Sequence, residues 1–260
     1  MTTLLLVRKH PGAVAGLLTT AGLAWWWTVR RMAGMDAAPG SDLGTLGWFT
    51  TSWIVMMMAM MLPSFAPTVA AYVTFSRGRR PVRWLPFACG YLLVWGIAGL
   101  VAYGAFALGK ALLSSDLGWH AGGRWVSGGL IAAAAAYELI PLKRACLARC
   151  RGQLGDRKAL SHQAPSEALA MGARSGGWCI GCSWALMVAL FALGVMSLTW
   201  MALIAALVAL QKVGPWPRGA RITTAVVLAT LAAGILAAPD QVPGLVVPAS
   251  GGIHPMGTMG

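Results

Sequence analysis

Sulfur carries the chemistry in this chain. Cys146 and Cys150 stand four apart, Cys179 and Cys182 form a Cys-x-x-Cys, and five methionines fill six positions from Met56 to Met61. On a helix, residues four apart lie one turn above the other. Cys146 and Cys150 then share a face, as do Met57 and Met61. Thiolates and thioethers are soft donors that select Cu(I), and thiolates also hold Zn(II). Cys146, Cys150, Cys179 and Cys182 are therefore the candidate metal ligands. Met57, Met60 and Met61 form a second group, with Met187 expected at a similar depth. The plain alternatives are that methionine fills gaps in apolar packing and that the thiols are buried and inert.

Two further residues invite explanation. Glu138, in Tyr137-Glu138-Leu139-Ile140-Pro141, is a carboxylate in otherwise apolar sequence, and an ionisable group at membrane depth is a functional candidate. Lys212 is the expected partner, either in a structural ion pair or in support of the metal site. Nothing in the chain carries hydrolytic or nucleotide chemistry: there is no phosphate-binding glycine loop, no Gly-x-Ser-x-Gly and no His-Glu-x-x-His. No catalytic residue is assigned.

The elements that must position these groups are apolar helices. The chain of 260 residues is 58% hydrophobic and 10% charged, which places it with polytopic membrane proteins. Apolar periodicity and length predict an all-α transmembrane bundle of about seven spans, near 11–29, 48–72, 84–108, 125–142, 178–194, 198–211 and 222–238. The first reads as an uncleaved span, since no small-x-small cleavage site follows it. Residues 1–238 make one helical domain, 143–177 a basic cytoplasmic loop, and 239–260 a flexible extracytoplasmic tail. Glycines 96, 99 and 104 are expected to permit close helix contact. Pro63 should free the carbonyl of Ala59 or bend its helix.

The net charge of +13 does not point to nucleic acid, because the basic residues fall almost entirely between apolar runs. With seven spans, 16 of the 20 Lys and Arg fall on one side, which makes that side, and the N-terminus, cytoplasmic. The chain reads as a multi-pass protein of the bacterial inner membrane. All five cysteines, Cys89 included, then lie on or near the reducing side, where metal binding or thiol exchange is favoured over stable disulfides. Met61 is about ten residues, or roughly 15 Å, from the inner boundary, so the methionines and thiols are expected to form separate groups.

Three ordered motifs resemble a bacterial family described as predicted metal-binding integral membrane proteins, a domain of unknown function. They are Trp53-x-x-Met56-x-x-Ala59-Met60-Met61-x-Pro63, Tyr137-x-Leu139-x-Pro141-x-Lys143-x-x-Cys146-x-x-x-Cys150, and Cys179-x-Gly181-Cys182-x-Trp184-x-Leu186-Met187. The resemblance covers about residues 48–213 and implies metal binding without an established reaction. Two positions depart from the pattern: Ser183 stands where a second adjacent cysteine is common, and Gln211 where a glutamate often precedes the lysine. The expected function is handling or delivery of a soft metal, copper before zinc. The bilayer is the expected partner, together with other membrane proteins or metallochaperones. The rivals are a membrane thiol–disulfide exchanger working through Cys179 and Cys182, and a non-catalytic assembly subunit.

Overall fold

The computed structural model describes residues 11–32, 44–75, 84–112, 124–152, 164–194 and 197–238. Among these residues the secondary structure is helical throughout. The helices are α1 (Pro11–Met32), α2 (Leu46–Phe75), α3 (Trp84–Leu112) and α4 (Arg124–Leu139). They continue as α5 (Pro141–Gly152), α6 (Pro165–Leu193), α7 (Leu198–Val213) and α8 (Pro217–Ala237). Four of the eight begin on a proline, a residue whose fixed φ suits the first helical position and whose missing N–H is no loss there.

Two of those starts correct the sequence reading. Residues 143–177 are largely helical where a loop is expected: Pro141 opens α5, and Pro165 opens α6 well ahead of residue 178. The Glu167 carboxylate accepts the N–H of Ala164, which closes the first turn of α6. The predicted span 125–142 also breaks, at Ile140, and α4 and α5 meet there at 66°. Gly194, at φ +108°, ends α6 in a conformation that side-chain-bearing residues rarely adopt, and α7 starts four residues later. The α2 helix runs on through Pro63 and Pro67. The tail at 239–260 lies outside the described residues.

Helices α2, α3, α6 and α8 are long and apolar enough to cross a membrane, and the bent pair α4–α5 would make a fifth. The α1 helix and the 16-residue α7 do not meet that standard, so seven spans is a larger number than length and apolarity alone support. Leu93, Ile97, Leu100, Val101 and Leu108 of α3 are exposed, an apolar stripe suited to lipid.

The α6 helix is the hub, packing on α3, α4, α5 and α7. Its tightest neighbour is α3, and the approach is set by glycines other than those expected from the sequence. A Cβ on Gly172 would run into the Phe87 carbonyl, and one on Gly90 into the Leu169 carbonyl. Of the expected glycines, Gly99 does allow a close approach, since a Cβ there would run into the Trp53 indole of α2, whereas Gly104 faces open space. Around this seam the rings of Phe65 and Tyr91 stack at 4.1 Å, and Tyr72 stacks on Phe87 at 4.6 Å. The Trp53 indole N–H donates to the Trp95 carbonyl at 2.8 Å and ties α2 to α3.

Gly172→Ala should therefore lower stability by about 1–3 kcal/mol, the range for overpacking a tight contact. Gly177→Ala, on the same helix with nothing near its Cβ position, should hold or raise stability, since Ala favours helix over Gly by about 1 kcal/mol. Thermal unfolding of the detergent-solubilised protein compares the two.

Candidate metal centre

Cys179 lies at the centre of the sulfur groups and is fully buried on α6. The Lys212 ammonium, at the end of α7, donates to Cys179 Sγ at 2.8 Å. The Tyr91 hydroxyl of α3 lies 3.0 Å from the same sulfur, and Ser183 Oγ lies 3.8 Å from it. Ser183 also donates to the Cys179 carbonyl at 2.6 Å, so at the position where the resembled family often has a second cysteine this chain has a hydroxyl satisfied by its own helix.

The second thiol pair comes from α5. Cys150 is half-buried and packs against the clusters that hold Cys179 and Cys182. Cys146 packs with Cys182 in a small cluster of its own with Leu147. The geometry gives Gly181 a role that its spacing alone did not suggest. The backbone stays helical there, and the space a side chain would fill is taken by Cys146, whose Sγ is 3.1 Å from the missing Cβ position. The Cys182 thiol donates to the Cys179 carbonyl at 3.2 Å. Cys89 is exposed on α3.

The methionines reach the thiols at one point. Lys212 Nζ also donates to Met61 Sδ at 3.8 Å and to Ser64 Oγ at 3.4 Å, so α2 and α6 meet around one ammonium. The expected separation of the two sulfur groups along the membrane normal does not hold for Met61. Met57, Met60 and Met187 are buried in the same apolar core. Next to the ammonium is a cavity of about 110 Å³, lined by Ser64, Tyr91, Cys150, Arg151, Ser175 and Lys212 among others.

Lys212 is not the partner of Glu138. The Glu138 carboxylate binds Lys143 at 2.8 Å, both side chains fully buried, and accepts Gln211 Nε2 at 3.0 Å. Arg221 donates to the Glu138 backbone carbonyl at 2.9 and 2.6 Å, and Gln211 also binds Thr224 Oγ1 at 2.9 Å. The bend after Leu139 brings Lys143 back to Glu138. Gln211 and Lys212 are neighbours on α7, and successive helical residues point about 100° apart, so one serves the carboxylate and the other the sulfurs.

Sequence reasoning missed Tyr91, Ser64 and Lys143. The available signals were a hydroxyl in an apolar span, a serine beside a proline within an apolar run, and a lysine two residues past Pro141. Among the described residues, no three Cys, His, Asp or Glu side chains stand as a group that could hold a metal ion. The tetrahedral four-ligand set of structural zinc is thus not preformed. The donors that do meet, a thiol and a thioether with further thiols beside them, match the preference of Cu(I) for soft sulfur.

Comparison with known proteins agrees in kind. A family model described as PpoB2, a copper chaperone, matches residues 50–237, from the start of α2 to the end of α8. The match covers most of the chain, which therefore belongs to this family. No curated protein and no solved structure matches it.

The Glu138 cluster behaves as structural cement in this geometry. Glu138→Ala strands Lys143 in the apolar core and should destabilise by about 3–5 kcal/mol, whereas replacing both residues with methionine should recover most of that loss. Thermal unfolding of the single and double variants is the measurement.

Proposed function

We propose that this chain is a multi-pass protein of the bacterial inner membrane that takes up Cu(I) on its cytoplasmic thiols and hands it on. The meeting of Cys179 of α6 with Met61 of α2 at the Lys212 ammonium, with Cys150 of α5 lining the adjoining cavity, carries the reading. It joins soft donors from three helices that the sequence separates widely. Cys146, Cys150, Cys179 and Cys182 are the primary ligands. Met57, Met60 and Met61 form the adjoining thioether group, with Met187 beside them. Membership of a copper-chaperone family supports copper over zinc as the cargo.

The topology in this reading is the seven-span arrangement, with α1 and α7 counted among the spans and the N-terminus cytoplasmic. The 16 basic residues on one side support it, as does the exposed apolar stripe of α3. The thiols then face the compartment in which they stay reduced. Metallochaperones or membrane proteins that give or receive the ion are the natural partners. Thiol–disulfide exchange with another protein is disfavoured by burial, since Cys179 is 0% and Cys182 2% exposed. Cu(I), a single atom, needs far less access than a partner's disulfide.

Protein purified in detergent under reducing conditions should retain Cu(I) in preference to Zn(II), measured by elemental mass spectrometry. A variant with Cys146, Cys150, Cys179 and Cys182 changed to serine should retain neither. Equal, near-zero retention in both proteins would overturn the copper reading.

A further inference from the structure

The geometry points to Lys212 as a resident stand-in for the cargo: its ammonium occupies the position that Cu(I) takes, and it must leave when the ion enters. This rests on the copper reading above and deepens it.

Among the described residues, the hydrogen bonds of the Lys212 ammonium go to sulfur or to a hydroxyl. The partners are Cys179 Sγ at 2.8 Å, Ser64 Oγ at 3.4 Å and Met61 Sδ at 3.8 Å. The buried carboxylate nearby is already paired, since Glu138 holds Lys143 at 2.8 Å. An ammonium is compact and strongly hydrated, and a thioether is a weak acceptor, so Met61 adds little to the lysine's contact with Cys179. A thiolate and a thioether side by side suit a soft ion. Lys212 Nζ therefore marks a point where the fold is arranged for positive charge, with donors suited to a different cation.

The exchange balances. Cu(I) forms bonds to the Cys179 thiolate and to Met61 Sδ, while the hydrogen bonds from Lys212 to the same two sulfurs break. The ammonium keeps its proton, and no electron moves. One positive charge replaces another beside the thiolate, while the displaced ammonium, on a side chain already part-exposed, keeps its charge and carries it into the adjoining cavity toward water. A divalent ion would leave one further charge beside the thiolate, and charge buried without compensation is strongly disfavoured. The site thus favours Cu(I) over Zn(II) by charge as well as by softness.

The displaced side chain has somewhere to go. Lys212 already lines the cavity of about 110 Å³, which also meets Ser175, Thr68 and Cys150 and is roomy enough for several waters around an ammonium. Because Lys212 competes for the sulfurs, it weakens retention, and its return would favour release to a recipient.

Two measurements on the full chain test the exchange. In competition with a chromogenic Cu(I) chelator, Lys212→Leu should hold Cu(I) about tenfold more tightly than the parent, the charged competitor being gone. Unchanged or weaker binding would overturn the proposal, because a lysine that only supports the thiolate gives that result. The second measurement needs no variant. Reductive methylation of lysine amines, read by peptide mass spectrometry, should rise severalfold at Lys212 on Cu(I) loading and stay constant at the buried Lys143. Copper bound with Lys212 labelling unchanged overturns the exchange alone. A parent that takes up no copper overturns the function itself, and the exchange with it.

Discussion

Cys179 Sγ and Lys212 Nζ meet at 2.8 Å where α6 and α7 face α2, and such a contact persists in apolar surroundings only if the scaffold holds both groups in register. Much of the bundle serves that requirement. Gly90 and Gly172 let α3 lie directly against α6, which brings the Tyr91 hydroxyl within 3.0 Å of the thiol. Phe65, one residue after Ser64, stacks on Tyr91 and keeps α2 at the same level. Arg151 donates to the carbonyls of Gln211 and Gly214 at 2.7 and 3.0 Å, fastening the end of α7 on which Lys212 is carried.

The second polar cluster isolates the first. By taking Glu138 out of play, Lys143 and Gln211 leave Lys212 without a carboxylate among the described residues, and its ammonium turns to sulfur. The bend between α4 and α5 makes this division possible, since it folds Lys143 back on Glu138 and sends Cys146 and Cys150 along a new direction toward α6. Two lysines, one buried and one part-buried, thus have distinct roles. One fixes structure through a carboxylate, and the other sits among donors that a soft ion prefers.

Much of this was legible in the sequence. The helical class follows from apolar runs between basic turns, and the break between α6 and α7 from Gly194. The pairing of Cys146 with Cys150 on one helix follows from their spacing alone. Other features could not be read there. The partner of Glu138 depends on a bend of 66°, and a proline reports that a helix ends without saying where the chain turns. Residues 143–177 read as a loop because basic residues and serines dilute the apolar pattern, although Pro165 and Glu167 carry helix-start chemistry. Depth counted along isolated helices set Met61 apart from the thiols, because Lys212, which reaches between them, belongs to a third helix.

X-ray absorption at the copper edge of the Cu(I)-loaded protein tests the central claim most directly. The account predicts a first shell of sulfur alone, with a contribution that is lost in Met61→Leu and no nitrogen neighbour. A short nitrogen neighbour would mean that Lys212 stays and binds the ion. An oxygen-rich shell, or one indifferent to both Cys179 and Met61, would mean that copper sits elsewhere in the protein, and either result contradicts the account.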